Sequence, residues 1–386
     1  MGKGFTEGAF ECLAMRIRKL SLTNFRNYRN QEFSPSGGIS VLVGQNAQGK
    51  TAVLEAAYFI ATSKSHRTSK DAELIRVGED FCRVAADVER EERSDVLLEV
   101  NISRKEKKII KINRTKHNKI ADLVGQLNAV IFSSYDIDMV KGDPSARRRF
   151  MNLEISQIHP QYIYSYGRYK RVLEHRNGLL RSYKTRRADL IELSTLDDQL
   201  VQYGAAILEK RHLFAKRLSE LAGPIYTQLT EGQETLQVEY VPSFDLGESS
   251  VVKDIRNRFI EVIEAGRTQE LARGVSLWGP QRDDVRFTVD GLDAKNFGSE
   301  GQQRSVALAA KLAEVALVEE MTGEAPVVLL DDVNAELDEK RRSHVFDFTC
   351  GRCQTFVTVT ELPGLPDDIV RSAEIFDVTG GEVKPR

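Results

Sequence analysis

The chain has 386 residues and a formal net charge of −2, long enough for two or three domains but without a chain-wide basic character, so any nucleic-acid surface must be local. No apolar run approaches the roughly 18–20 residues a membrane span needs, and no secretory h-region opens the chain, so a cytosolic protein with no membrane partner is expected. Four cysteines in this length do not make a disulfide framework. Cys350-Gly-Arg-Cys353 has the spacing of a redox pair or half a zinc site, but nothing completes a metal site, and a plain pair in a turn is expected.

Residues 1–14 are Gly-rich with little pattern and read as a detachable extension. From Met15 a strand is expected: Arg16-Ile17-Arg18 alternates, Leu20, Leu22 and Phe25 follow, and Asn24 to Tyr28 forms a turn. Ile39 to Val43 is a short apolar run, as in a buried parallel strand. It leads into Gly44-Gln-Asn46-Ala-Gln-Gly49-Lys50-Thr51, the G-x-x-x-x-G-K-T phosphate loop. Gly44 and Gly49 let consecutive amides point at phosphate oxygens, Lys50 reaches the β/γ-phosphates, and the Thr51 hydroxyl binds Mg²⁺. The following helix, Ala52 to Ala61, aims its N-terminus at the same anion. A nucleoside triphosphate is the expected ligand.

Arg67 lies in a loop able to fold back over bound phosphates, where a guanidinium neutralises developing charge; a lone loop arginine is more often only solvated. Cys82 to Ala86 and Val96 to Ile102 read as antiparallel strands. Between Arg104 and Lys119 eight Lys/Arg stand against Glu106 alone, a local net charge of +7. Lys105, Lys107, Lys108, Lys111, Arg114 and Lys116 are candidate DNA-phosphate contacts on a hairpin, against the alternative of a solvated face. Leu123 to Phe132 reads as another strand.

Asp143-Pro144 marks a boundary. The span 144–272 is helical, charged and tyrosine-rich, with a second basic run from Arg168 to Arg187 and apolar positions from Leu196 to Leu221 at helical spacing, read as antiparallel helices of an inserted arm. Ser299 is a good helix N-cap and Gly301 permits close backbone approach ahead of an apolar helix to about Met321. This second anion-binding helix start makes sense against a nucleotide held by another subunit. Val327 to Leu330 is a buried strand ending in Asp331, a metal carboxylate, and Asp332, placed to polarise water.

The phosphate loop, the Ser299-x-Gly301-Gln302-Gln303 signature and the Asp331-Asp332 strand followed by Ala335 to Asp338 resemble the ABC-type ATPase heads of the SMC-like group. Leu22 to Tyr28, Leu54 to Tyr58, Ser65 to Thr68 and Gly279-Pro-Gln-Arg-Asp-Asp284 narrow the resemblance to its RecF family of recombination mediators. The implied fold is α/β, an ABC-type head with mixed sheets (15–143 and 273–386) plus an inserted α-helical arm (144–272). The resemblance implies ATP with Mg²⁺ as ligands, slow DNA-stimulated hydrolysis, and an ATP-dependent homodimer. In that dimer Lys50 and Thr51 act in cis and Ser299, Gly301 and Gln302 in trans. It further implies a clamp on double-stranded DNA near single-strand gaps, working with RecR to load RecA, and it strengthens the catalytic role for Arg67.

Some positions depart from the wider ABC pattern. Glu300 stands where Gly is preferred, and Asp332 where Glu is usual, one methylene shorter and so expected to slow turnover. Gln281 departs instead from the RecF family's own Gly-Pro-His-Arg-Asp-Asp segment, replacing its His. No clear Gln follows Leu127 to Phe132, and no His follows Val357-Thr-Val-Thr360, where Thr358 or Thr360 is the available substitute. Two other classes compete. A full SMC protein needs coiled coils far longer than this arm; a metabolic kinase needs a substrate lid and has no use for a signature in trans.

Overall fold

A computed structural model describes residues 14–91, 93–182, 190–247 and 251–386. The extension expected at the N-terminus, up to residue 13, and Lys184, Arg186 and Arg187 of the second basic run lie outside the described residues.

In chain order, strands β1 (Arg16–Phe25), β2 (Tyr28–Phe33) and β3 (Ile39–Val43) precede helix α1 (Lys50–Thr62). A meander follows: β4 (Phe81–Glu89), β5 (Val96–Ser103), β6 (Ile109–Ile112) and β7 (Thr115–His117). Helix α2 (Ile120–Leu123), β8 (Ala129–Phe132) and α3 (Asp138–Lys141) lead to the long helices α4 (Pro144–Ile158), α5 (Pro160–Ser182) and α6 (Leu190–Leu229). Then come β9 (Leu236–Val241), α7 (Val252–Arg273), β10 (Asp284–Val289), β11 (Leu292–Asp293), α8 (Ala294–Phe297) and α9 (Glu300–Thr322). The chain closes with β12 (Val327–Leu330), α10 (Val333–Glu336), α11 (Glu339–Thr349), β13 (Thr355–Val359), α12 (Asp367–Ser372), β14 (Glu374–Thr379) and β15 (Glu382–Pro385).

These elements form two compact units: one comprises residues up to Asn118, Leu127–Ile131 and Val318–Arg386, the other Lys119–Gln126 and Phe132–Leu317. The first holds an antiparallel sheet of order β2-β1-β4-β5-β6-β7 and a mixed sheet of order β15-β14-β3-β13-β12-β8. In the mixed sheet β3 runs parallel to both β13 and β14. All five residues of β3 are buried, which explains its unbroken apolar sequence. Helix α1 touches β1, β4 and β5 of one sheet and β12 and β13 of the other. A helix covered on both sides has no solvent face, hence the run Ala52-Val-Leu and Ala56-Ala-Tyr-Phe-Ile-Ala61, buried throughout.

The second unit contains the helices α4 to α7 and the sheet β11-β10-β9. Helices α5 and α6 run antiparallel: Arg176 meets Asp197 while Tyr162 meets Arg211. Pro144 sits at the start of α4, where its missing N–H costs nothing. Two buried arginines tie the helices together. Arg176 donates to Asp197 Oδ1 (2.6 Å), Ser276 Oγ (2.7 Å) and Glu270 Oε2 (2.5 Å). Arg211 donates to the Pro280 carbonyl (2.6 Å), Asn152 Oδ1 (2.8 Å) and Tyr162 Oη (3.0 Å). The Gly279 to Asp284 segment is therefore tied down around the buried Asp283, whose carboxylate takes the Ser243 N–H (2.8 Å) and the Tyr240 hydroxyl.

One element differs from the sequence reading. The single strand expected over Leu123 to Phe132 is a short helix, a turn and then only β8. Gly125 adopts φ +86°, and Val124 N–H bonds back to the Ile120 carbonyl, so the chain turns before it extends.

Candidate nucleotide-binding site

The first unit carries a cleft of about 750 Å³ lined by Asn46, Gly49, Lys50 and Thr51 of the phosphate loop, Arg67, and Asp331, Asp332 and Thr358. Arg26, Asn27 and the segment Ile75 to Val77 complete its walls. The strand order dictates this meeting. β3, β13 and β12 are parallel neighbours, so the phosphate loop after β3, Thr358 near the end of β13 and the two acids after β12 emerge on one edge, where open α/β sheets place ligands.

The loop's glycines are required by its surroundings. Gly49 has φ +119°, and a Cβ there would lie 2.6 Å from Asn27 Nδ2 and 2.7 Å from Tyr28 Oη; one on Gly44 would lie 2.3 Å from the Val378 carbonyl oxygen. The β1–β2 turn braces the loop from outside. Asn27 Nδ2 donates to the Gln48 carbonyl (2.8 Å) and the Tyr28 hydroxyl to the Gly49 carbonyl (3.0 Å).

Lys50 is buried and donates to the Gly44 (2.6 Å) and Gln45 (3.0 Å) carbonyls. Burial lowers its pKa, opposed by Asp332 and Asp331. Thr51 Oγ1 donates to Asp331 Oδ1 at 2.9 Å, across 280 positions of sequence. Thr358 Oγ1 donates to that same carboxylate oxygen (2.8 Å) and accepts the Asp332 N–H (2.8 Å). Burial raises the Asp331 pKa, and the Thr358 and Thr51 hydrogen bonds pull it back. Asp332 takes a left-handed backbone, φ +50°, and its Oδ1 is buried without a hydrogen-bond partner. Of the two threonines available in place of the switch histidine, Thr358 is the one at the cleft.

Sequence reasoning gave no role to Arg26. It reaches Glu55, a fully buried carboxylate of α1, through two parallel hydrogen bonds (2.7 and 2.6 Å). Arg67 lies 3.9 Å from the same carboxylate. The Glu55 pKa is lowered: burial, which opposes this, is outweighed by the Arg26 and Ser65 hydrogen bonds. The available signal was an unpaired acid inside an otherwise apolar helix, which demands a buried partner.

The signature lies in the second unit. Ser299 Oγ accepts the Gln302 N–H (3.2 Å) and Gln302 Oε1 accepts the Ser299 N–H (2.8 Å), a reciprocal capping box that opens α9. Gln302 Nε2 also donates to Glu234 Oε1 (2.8 Å). Ser299 and Gly301 are exposed. Asp338 caps α11, accepting the Arg341 N–H.

The basic candidates separate. Lys105, Lys107, Arg114 and Lys116 are exposed, with the Lys105 ammonium 3.4 Å from Asp80. Asn113 (φ +50°) and Arg114 (φ +68°) form the two-residue turn between β6 and β7, both left-handed as a type I′ turn requires. Lys111 pairs across the strands with Glu99 (2.7 Å), whose carboxyl is lowered to about 2 because hydrogen bonds from Lys111, Asn101 and Arg83 outweigh burial. Lys108 turns inward to Ser63 and Asp71. Cys350 and Cys353 are not joined in a disulfide. No helix among the described residues is long and apolar enough to cross a membrane.

Two sheets flanking a phosphate-loop helix, with an acid after a parallel strand of the same sheet hydrogen-bonded to its threonine, define a P-loop ATPase head of the ABC and SMC class. Residues 16–364 match the family described as RecF/RecN/SMC N terminal domain. The chain belongs to this family, and within it to RecF. It is 41% identical over 372 residues to the DNA replication and repair protein RecF of Bacillus mycoides, covering 96% of this chain and 98% of that one. To RecF of Shouchella clausii it is 42% identical over 371 residues, 96% and 99% of the two chains. A solved structure of the recombination mediator RecF with ATP, in the RecFOR pathway, superposes with a TM-score of 0.90 at 29% identity over 98% of this chain and 100% of that one. The Smc head of Pyrococcus furiosus shares the fold, with a TM-score of 0.54 at 16% identity over 96% of each chain.

Proposed function

We propose that this protein is an ATP-gated clamp for double-stranded DNA that acts in the cytoplasm in recombinational repair of gapped DNA. The observation that carries the reading is the Thr51–Asp331 hydrogen bond at 2.9 Å. It joins two motifs, each common alone, into one phosphate site. A hydroxyl and a carboxylate on one edge are hard oxygen donors that fit Mg²⁺; Thr51 and Asp331 would hold the ion, which would supply charge neutralisation at the phosphates. Lys50 binds the phosphates, Asp332 holds the attacking water, and Arg67 and Arg26 present guanidinium groups to the nucleotide.

The cleft is lined by the first unit alone, while the capped start of α9 offers exposed Ser299 and Gly301. ATP binding therefore joins two copies, each cleft closed by Ser299, Gly301 and Gln302 of the other. The dimer holds duplex near single-strand gaps through Lys105, Lys107, Arg114 and Lys116, with Lys111 at their margin. Hydrolysis is slow, DNA-stimulated, and resets the clamp, and RecR engagement promotes RecA loading.

Sedimentation velocity with a fluorescent duplex, with and without Mg-ATP, tests this. A monomer that ATP converts to a dimer co-sedimenting with duplex is expected. Bound ATP with unchanged mass and DNA occupancy would overturn the gating.

A further inference from the structure

We propose that Lys108 is a positioning residue for the nucleotide cleft, stapling the loop that carries Arg67 to the strand loop that carries Lys105 and Lys107. Its side chain is only 14% exposed. The ammonium donates to the Ser63 carbonyl (2.9 Å) and Ser63 Oγ (3.1 Å), lies 2.8 Å from Asp71 Oδ2, and sits 4.7 Å from the centre of the Phe59 ring. An ammonium has three donors, and these three acceptors occupy them. None is left for a phosphate.

Ser63 ends α1 in a left-handed conformation, φ 57°, and Asp71 begins the next helical turn. Lys108 thus fixes both ends of the segment between them. The middle of that segment is folded about Ser65, whose hydroxyl donates to Glu55 (2.5 Å) and accepts the N–H groups of Arg67 (3.0 Å) and Thr68 (3.1 Å). Arg67 then faces the cleft. Lys108 itself follows directly on Lys105 and Lys107, exposed in the β5–β6 loop. Phosphates gripped by that loop pull on the staple, which gives duplex a route to the γ-phosphate end of the site.

This inference rests on the ATPase reading of the cleft, and steady-state ATP hydrolysis by the full chain tests it. Lys108→Met is expected to lower kcat about tenfold with KM for ATP within about twofold, the split expected when an interaction made only in the transition state is removed. In an Arg67→Ala background it should add no further loss, because Lys108 acts through Arg67. Saturating duplex should no longer raise turnover, and Lys108→Arg should restore most of both effects. Asp71→Asn, which leaves the Ser63 bonds, should show the same pattern more weakly if Lys108→Met does not fold. An unchanged kcat, losses that multiply with Arg67→Ala, or full duplex stimulation in Lys108→Met would overturn the proposal. A wild-type chain that hydrolyses no ATP would instead overturn the reading of the cleft itself.

Discussion

The buried Thr358 hydroxyl fixes both acids after β12 at once, donating to Asp331 and accepting from the Asp332 backbone. Thr358→Val keeps the shape and removes both bonds, and a missing bond to a charged group costs about 1.5–3 kcal/mol. We expect ATP binding to survive while single-turnover phosphate release slows by about 10- to 100-fold. Lys50→Met should abolish binding of a fluorescent ATP analogue, and with it dimerisation; retained affinity would refute the phosphate-loop assignment. Lys50, Thr51 and Asp331 were legible because their chemistry demands fixed residue types at fixed spacing. Thr358 was legible only as one of two substitutes for a switch histidine, and the bracing by Asn27 and Tyr28 was not legible, since these roles exist only once β13 and the β1–β2 turn lie beside the loop. Lys108 was legible as a charge but not in direction: the density of basic residues does not say which way an ammonium points.

Among the elements, α9 combines an exposed start with a charged interior. At its start, Ser299→Arg keeps the chain monomeric when ATP is bound, in our expectation; a normal ATP-dependent dimer in light scattering would refute the role in trans. Further along, Lys311 and Glu314 are buried with Glu154. Burial, reinforced by Glu154, pushes the Glu314 carboxyl well above the usual carboxylate range, with Lys311 opposing. A carboxyl raised in the folded state contributes stability that is complete below its unfolded pKa, about 4.3, and is lost as pH rises through the folded value. Glu314→Gln should therefore flatten the fall of Tm toward alkaline pH, measured by calorimetry. In the arm, Arg211 lies 3.5 Å from the buried Asp283 carboxylate, so Arg211→Met removes that carboxylate's cationic partner and should cost about 3–5 kcal/mol in urea unfolding. The helices of the arm were readable from their apolar spacing. These polar ties were not, because partners from four or five segments leave no periodic trace.

For the whole molecule, a net charge of −2 means that the proposed duplex contact must come from a local patch. Charge reversal at Lys105 and Lys107 should weaken binding and lower the salt slope by about one for each DNA phosphate no longer neutralised. An unchanged slope in fluorescence anisotropy would return this loop to solvent. The strand order carries a different consequence, for synthesis. Both sheet neighbours of β3 are drawn from Thr355 to Thr379, and the acids facing Thr51 come from beyond position 330. A ribosome translating this message has made the phosphate loop long before it makes the strands and acids that complete the site around it. The antiparallel sheet of β1, β2 and β4 to β7 and the intervening helices have their partners earlier, so these parts of the chain can fold while β3 waits. Chains that end before β13 and β14 then lack the sheet neighbours of the phosphate loop, and the nucleotide site is completed only once those strands are made.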